Sequence, residues 1–243
     1  MSDVLTIIPA RLASTRLPRK PLVDIAGKAM IIRVMEQAQK AQIGPVIVAC
    51  AEEDIAKVVR AAGGQAVLTD PDLPSGSDRV HQAAARFDPD KVFDIILNVQ
   101  GDMPLIPPQV LRDTVAVLAA ETLADIATAV IATDDPAEIT DPNCVKAVVT
   151  ERNRALYFSR EAVPHGATSV FHHVGIYAYR RPALEKFCAL PPSHLEQQER
   201  LEQLRALEND MRLYVTRLKA QDKVSLRGVD TMDDLFAIKE SLL

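Results

Sequence analysis

The stretch from Ile7 to Leu22 reads IIPARLASTRLPRKPL, the end of an apolar strand followed by a loop that carries four cations. The run from Val4 to Ile8 is typical of a buried parallel strand, because it is mostly apolar and rich in β-branched residues, and Pro9 marks its end. Parallel α/β sheets bind ligands just beyond the carboxyl ends of their strands. Because guanidinium groups bind phosphate oxygens in pairs, we expect the loop to face a polyanion, with a solvated basic loop as the alternative. The four cations are Arg11, Arg16, Arg19 and Lys20.

Helical and strand patterns alternate after this loop, which predicts a doubly wound, mostly parallel α/β sheet. The run at residues 95–99 is too continuously apolar for a half-exposed strand and belongs in the middle of that sheet. From residue 144 the pattern changes to short strands, which indicates a small β-containing lobe, with an irregular loop at residues 161–171. The predicted helices cover residues 29–41, 52–62, 109–120, 195–208 and 232–242. The predicted strands cover residues 4–8, 46–50, 66–68, 95–99, 125–132, 145–149, 155–159, 172–179 and 213–219.

Composition excludes several classes of protein. At 243 residues with 48% hydrophobic content, the chain can bury the core of one large domain. A net charge of −5 and 4% aromatic residues disfavour a nucleic-acid groove, which needs a basic face and stacking platforms. Three cysteines without zinc-type spacing disfavour a disulfide framework or a thiolate metal site. The short apolar N-terminal run is neither a signal peptide nor a membrane span, so we expect a cytoplasmic protein without membrane insertion.

The two standard phosphate-binding motifs are absent from the sequence. No G-x-G-x-x-G follows the first strand, and Gly27-Lys28 lacks the glycine five residues earlier that a Walker loop requires. A dinucleotide-dependent dehydrogenase and a P-loop kinase are therefore both disfavoured. The loop after Thr69, TDPDLPSGS, is followed by a helix that Ser77 or Asp78 can cap, and a cap alone would explain these residues.

One carboxylate follows the central strand in a position suited to a metal ion, and another, near the end of the chain, has no role that the local pattern explains. Asp102, in the turn after the central strand, lies where a magnesium-bridged nucleotide would place its metal. The alternative is that Asp102 pairs with Arg11 or Lys20. Near the end of the chain, Thr231 and Asp234 form a capping box, which explains both as helix starters but leaves the preceding aspartate, residue 230, unexplained.

The run IIPARLASTRLPRKPLVDIAGKAMI resembles the opening of the CMP-Kdo synthetases (3-deoxy-manno-octulosonate cytidylyltransferases), and further stretches match the same family in the same order. Two positions depart from its pattern: Arg19 replaces a usual glycine, and Met103 replaces a common acidic residue. Neither departure removes a group that the family's chemistry is thought to need. The further matching stretches are SGSDR at 75–79, NVQGDMPLI at 98–106, ALYFSR at 155–160, HVGIY at 173–177, LEQLR at 201–205 and GVDT at 228–231.

The resemblance implies a Rossmann-like fold of the nucleotide-diphospho-sugar transferase type and a transfer of CMP from CTP to Kdo for lipopolysaccharide biosynthesis. It implies Mg²⁺ as cofactor, bound by Asp102 and Asp230, with Arg11 and Lys20 as the other catalytic residues. It also implies that Ser75, Gly76 and Ser77 lie against the cytosine ring. The nucleotide-binding set is Ala10, Arg11, Leu12, Ser14, Arg16, Lys20, Ser75, Gly76, Ser77 and Gln100.

The same resemblance implies one nucleotidyltransferase domain over residues 1–243, with a lobe at 144–208 that binds the sugar acid and forms a homodimer. On periodicity alone Glu202 and Gln203 could equally be solvent-facing positions of the long helix. The alternatives are a cytidylyltransferase for an acylneuraminate or for 8-amino-Kdo, and a nucleotide-binding module without turnover. The implied sugar-binding residues are Gln100, Arg160, His173, Tyr177, Glu202 and Gln203, with His173 and Tyr177 on one face of a strand.

Overall fold

The chain folds as two compact units in the structure, a computed structural model that describes residues 3–13, 17–219, 226 and 228–242. The first unit combines Met1–Leu111 with Val224–Leu243, and the second is Arg112–Lys223. Among the described residues, no helix combines the length and the apolar character needed to cross a membrane.

The first unit is built on four parallel strands, as the apolar runs predict. The strands are β1 (Val4–Ala10), β4 (Val46–Cys50), β5 (Gln65–Leu68) and β6 (Ile95–Asn98), arranged in the order β6-β1-β4-β5. All residues of β4 and β6 are buried, because helices cover such a sheet on its faces. A two-stranded hairpin, β2 (Asp24–Ile25) with β3 (Lys28–Ala29), precedes the first helix.

Three helices pack on these strands through apolar faces. They are α1 (Met30–Lys40), α2 (Glu53–Ala61) and α3 (Gly76–Phe87), and each contacts strands of the parallel sheet. The buried residues of α1 recur at helical spacing, since Met30, Ile31, Val34, Met35 and Ala38 share one side. The next helix, α4, covers Pro108–Ala120.

The end of the chain returns to the first unit through α9 (Met232–Glu240). Leu235 and Ile238 of this helix and Val229 before it are buried with residues from the beginning of the chain. The capping box predicted for Thr231 and Asp234 is confirmed, with each side chain accepting a backbone hydrogen bond of the other. The residues that meet them in this core are Leu17, Ile25 and Met30.

The second unit is a mixed sheet with short helices. Strand β7 (Ile126–Thr133) pairs in parallel with β11 (Leu213–Leu218) and antiparallel with β10 (Val170–Arg180). The hairpin predicted after residue 144 is present as β8 (Lys146–Val149) and β9 (Ala155–Ser159), and β8 also pairs with β10. The unit's helices are α5 (Pro136–Thr140), α6 (Arg181–Ala189), α7 (His194–Glu199) and α8 (Gln203–Glu208).

The long helix predicted for residues 195–208 is wrong, because the chain forms α7 and α8 with a break between them. Arg200 adopts a left-handed conformation with φ 55°, which ends α7. The side chain of Arg160 stabilises this break, since its Nε donates to the carbonyl of Glu199 at 2.9 Å. The leucine spacing does not reveal this break, since α7 buries none of its residues whereas α8 buries Leu204 and Ala206.

Candidate active site

A cavity of about 430 Å³ lies at the carboxyl ends of β1 and β6, where the sequence predicts a ligand site. Gly101 allows this arrangement, because a Cβ on that residue would lie 2.9 Å from the carbonyl oxygen of Pro9. The turn after β6 can therefore pack directly against the end of β1. The cavity is lined by Pro9, Ala10, Arg11, Ala13, Lys20, Pro21, Ser75, Gly76, Arg79, Gln100, Gly101 and Asp102.

Lys20 forms the electrostatic centre of this region, because its ammonium group contacts two carboxylates at once. Its Nζ donates to Asp102 Oδ2 at 2.7 Å and to Asp230 Oδ1 at 2.7 Å. The Lys20 side chain is only 14% exposed, so these charges interact at lower effective dielectric than surface pairs do. The pairing of Asp102 with Lys20, considered above as an alternative to a metal site, is present.

Asp230 reaches Lys20 because the chain is held on both sides of it. The backbone N–H of Val229 donates to the carbonyl of Asp102 at 2.9 Å, and the Val229 side chain is fully buried. On the other side, the backbone N–H of Asp230 donates to Asp234 Oδ2 at 3.1 Å. The capped start of α9 thus fixes Asp230 beside the turn that carries Asp102.

The protonation of Lys20 follows from this environment. Burial alone would lower the pKa of Lys20, but the charges of Asp102 and Asp230 and their hydrogen bonds outweigh it and raise the pKa above its ordinary value. Lys20 is therefore a permanent cation at neutral pH. Two carboxylate oxygens that converge on one cation are also the hard ligands that Mg²⁺ prefers, so the donor set fits a divalent ion.

Ser75 and Ser77 occupy different environments at the start of α3. Ser75 is the N-cap, and its Oγ accepts from the backbone N–H of Asp78 at 3.2 Å. The prediction that Ser77 or Asp78 caps this helix is wrong, because α3 begins earlier and both lie within its first turn. Ser75 and Gly76 line the cavity, whereas Ser77 is fully buried and is not among the lining residues.

The first loop places its remaining residues differently. Arg11 lines the cavity, whereas the backbone N–H of Leu12 is bound by the Glu52 carboxylate at 3.0 Å. Arg19 points to Asp54 at 3.0 Å on the surface and has φ 54°, a left-handed conformation that explains why glycine is usual at this position in the resembled family. The predicted ligands Ser14 and Arg16 lie outside the described residues.

Two of the predicted sugar-binding residues are adjacent in the second unit. The ring centroids of His173 and Tyr177 are 5.5 Å apart, and both side chains are buried. Burial, with a smaller effect of the nearby His172, lowers the pKa of His173 to about 3. Burial and the charge of Glu202 raise the pKa of Tyr177 well above its ordinary value. His173 and Tyr177 are therefore neutral at physiological pH.

The predicted residues Arg160, Glu202 and Gln203 lie near the break between α7 and α8. Arg160 donates to the carbonyls of Glu199, Pro142 and Arg200 at 2.9, 2.8 and 3.4 Å. These bonds use three of its five N–H donors. Glu202 is the N-cap of α8 and Gln203 is 5% exposed, so Gln203 is not the solvent-facing position that periodicity allowed.

Sequence reasoning missed Arg79 and Glu199. Arg79 lines the cavity and is held by Thr69 Oγ1 at 2.6 Å; its only signal was its place in the SGSDR motif. Burial first, and then the charge of Arg11, lower the pKa of Arg79. Glu199 accepts from Ser159 Oγ and from the backbone N–H of Arg160, both at 2.9 Å, a role that one continuous helix would not have suggested.

A further group of potential metal ligands lies in the second unit. Among the residues that the structure describes, Glu138, Cys144 and His172 each place one ligand atom within 4.8 Å of the others. The spacing between cysteines could not indicate this group, because the group contains only one cysteine, together with a glutamate and a histidine. None of the three lines the cavity at the carboxyl ends of β1 and β6.

Comparison with known proteins identifies the family. The family model described as Cytidylyltransferase matches residues 5–213. The 3-deoxy-manno-octulosonate cytidylyltransferase of Rhodospirillum rubrum is 53% identical over 236 residues, which cover 95% of this chain and 92% of that protein. The protein of the same name from Xanthobacter autotrophicus is 54% identical over 238 residues, with 96% and 91% covered.

Solved structures agree with this result. A CMP:2-keto-3-deoxy-manno-octonic acid synthetase complexed with CTP is 36% identical and superposes with a TM-score of 0.90, covering 99% of this chain and 98% of its own. A cytidylyltransferase from Leptospira borgpetersenii, at 18% identity, TM-score 0.63 and coverage of 96% and 84%, shares the fold. With its α/β fold and its mainly parallel sheet, the chain is a nucleotidyltransferase that belongs to the cytidylyltransferase family, among the 3-deoxy-manno-octulosonate cytidylyltransferases.

Proposed function

We propose that the protein transfers CMP from CTP to the anomeric hydroxyl of Kdo, giving CMP-Kdo and pyrophosphate. The observation that carries this proposal is the cation of Lys20 held by Asp102 and Asp230 beside a cavity at the ends of parallel strands. In the reaction a bond forms between the anomeric oxygen and the α-phosphorus, and the bond from that phosphorus to the leaving pyrophosphate breaks. The hydroxyl proton passes to solvent.

Arg11 and Lys20 bind the triphosphate in this proposal. Both line the cavity, and both keep a positive charge at neutral pH. Charge develops on the leaving oxygens as the bond to the α-phosphorus breaks, and fixed cations in a partly buried site stabilise it. Ser75 and Gly76 also line the cavity and are assigned to the cytosine ring, and Gln100 is assigned to the nucleotide.

Asp102 and Asp230 would hold the magnesium ion, because their oxygens already converge on one cation. When bound, such an ion neutralises phosphate charge and lowers the pKa of the attacking hydroxyl. In the structure the two carboxylates hold Lys20, and they are also the residues that would hold the metal ion. Lys20 would bind the triphosphate.

The sugar acid is assigned to the second unit. Arg160 has two N–H donors beyond its three carbonyl bonds, which suits the carboxylate of Kdo. His173, Tyr177, Glu202 and Gln203 are assigned to the hydroxyl groups. The proposal also includes a homodimer formed through residues 144–208 and a cytoplasmic location, where the product would enter lipopolysaccharide biosynthesis.

The test is a panel of sugar acids offered to the purified protein with CTP and Mg²⁺. Release of pyrophosphate with Kdo, and far less with N-acetylneuraminate, is the expected result. A pocket built for particular hydroxyls rejects analogues that leave its buried polar groups unpaired, at a cost of about 1–3 kcal/mol for each group. A preference for an acylneuraminate or 8-amino-Kdo would mean that this acid, and not Kdo, is the substrate. No pyrophosphate release with any acid would indicate a nucleotide-binding module without turnover.

A further inference from the structure

Strand β10 contains a bulge directly after Val174. Val174 pairs with Ala129 of β7, and the next paired residue, Tyr177, lies opposite Thr128. Gly175 and Ile176 are thus two extra residues on β10, and two extra residues keep the side-chain alternation unchanged. In a regular strand, residues four apart would lie about 13 Å from each other. The bulge instead brings the rings of His173 and Tyr177 to 5.5 Å.

The hydroxyl group of Thr128 fills this bulge. Thr128 Oγ1 lies 2.7 Å from the carbonyl oxygen of Ile176 and 3.3 Å from that of Val174. The same oxygen lies 2.9 Å from Nε2 of His173. All of these atoms are buried, so the hydrogen bonds are made inside the protein and not to solvent.

Only one assignment of hydrogens satisfies these contacts. A threonine hydroxyl has one hydrogen, and a carbonyl oxygen can only accept. The hydrogen of Thr128 therefore goes to the nearest carbonyl, that of Ile176, and the oxygen is left as an acceptor. His173 Nε2 must then donate to it, which places the ring hydrogen on Nε2 and leaves a lone pair on Nδ1.

The surroundings of His173 keep the ring neutral. The ring packs edge-on against Phe158 with centroids 4.8 Å apart and lies beside Tyr177, and burial lowers its pKa to about 3. His172 acts electrostatically on His173 and Glu202 acts on Tyr177, and the titratable Tyr179 packs against Tyr177 with ring centroids 5.9 Å apart. A neutral imidazole whose Nδ1 is an acceptor cannot donate a second hydrogen bond to a carboxylate.

We infer that Thr128 is a positioning residue that fixes His173 in the Nε2–H form, so that His173 accepts a hydrogen bond from a hydroxyl of the sugar acid and does not bind its carboxylate. This inference rests on the proposed function for the identity of the sugar. It leaves carboxylate recognition to other side chains, of which Arg160 is the one that the proposed function assigns to this task. It also makes Thr128 a determinant of sugar affinity, although its hydroxyl is used inside the protein.

The experiment compares Thr128→Val, which keeps the shape of the side chain and removes the hydroxyl, with Thr128→Ser, which keeps the hydroxyl. Nitrogen NMR of histidine-labelled wild-type protein should show His173 protonated on Nε2. In Thr128→Val this preference should be lost, and KM for Kdo should rise by about tenfold while KM for CTP stays within about twofold, the loss expected for one hydrogen bond. Thr128→Ser should keep both the Nε2–H form of His173 and the wild-type KM for Kdo. Thr216→Val on β11 is the matched control.

Protonation on Nδ1 in the wild type, or the same tautomer and the same KM in Thr128→Val, would overturn the inference. If Thr128→Val does not fold, the wild-type spectrum and Thr128→Ser still decide the tautomer. The spectrum requires no substrate, so it tests the assignment of Thr128 even if Kdo gives no pyrophosphate. That second result would overturn the proposed function instead.

Discussion

Lys20 shows how a single residue can have two roles at the cavity beside β1 and β6. Its Nζ lies 2.7 Å from an oxygen of Asp102 and 2.7 Å from an oxygen of Asp230. The positive charge therefore offsets the repulsion between these two carboxylates. In the proposed function the same ammonium group binds phosphate at the cavity that Lys20 lines. Removing its charge should therefore have opposite effects on metal binding and on turnover.

We expect Lys20→Met to lower kcat/KM for CTP by roughly a hundredfold or more, about 2.7–4 kcal/mol of transition-state stabilisation. The same variant should bind Mg²⁺ more tightly without nucleotide, because the carboxylates lose the cation that competes with the metal. Isothermal titration and pyrophosphate release measure the two effects. Lys28→Met, which removes an exposed ion pair with Glu36, is the control. Weaker Mg²⁺ binding in Lys20→Met would contradict this account of the carboxylates.

The protonation of His173 predicts how stability depends on pH. The folded-state pKa of about 3 lies below the ordinary value of 6.5, so the unfolded chain binds a proton that the folded chain excludes between these values. Stability should therefore be complete above pH 6.5 and fall as the pH decreases, by about 1–2 kcal/mol at pH 5 from this residue. The free energy of unfolding in urea, measured at pH 5 and above pH 6.5, tests this prediction.

The control for this pH dependence is a comparison of two variants. His173→Gln should flatten the pH dependence of the unfolding free energy, whereas His165→Gln, at an exposed position, should leave it as in the wild type. Equal slopes in wild type and His173→Gln would mean that His173 is not the buried neutral group described here.

At the scale of elements, the end of α7 organises the end of β9. Glu199 accepts three hydrogen bonds from β9 and the residue after it, from Tyr157, Ser159 and the backbone of Arg160. We expect Glu199→Ala to lower the free energy of unfolding by about 2–4 kcal/mol, because each bond contributes about 0.5–1.5 kcal/mol and buried donors lose their partner. Denaturant unfolding measures this, with the exposed neighbour Gln198→Ala as control. A change as small as that of the control would show that solvent replaces Glu199.

The strands of the first unit were predictable because each is a continuous apolar run, and Asp230 was singled out because a capping box explained its neighbours but not Asp230 itself. The break after Glu199 was not predictable, since it depends on the left-handed Arg200 and on contacts with a distant strand. The bulge after Val174 was hidden for a similar reason. The sequence HVGIY alternates regularly, and only its register against β7 reveals the two extra residues.

At the scale of the whole molecule, the last helix supports the site through a core made from both ends of the chain. We expect Leu235→Ala to destabilise the protein by about 2–5 kcal/mol, because it creates a cavity beside Val229. Since Val229 adjoins Asp230, the variant should also need more Mg²⁺ for half-maximal turnover. Phe236→Ala, at a position 54% exposed on the same helix, is the matched control. A normal Mg²⁺ requirement in a destabilised Leu235→Ala would show that α9 does not position Asp230.

The first unit contains both Met1–Leu111 and Val224–Leu243, and this has a consequence for synthesis on the ribosome. Domains generally begin to fold while the chain is being made, the N-terminal part first. Lys20 and Asp102 can therefore meet early, whereas Asp230 joins them only after more than a hundred further residues have been translated. A nascent chain that stalls before this point would carry only one of the two carboxylates that are proposed to hold the metal ion.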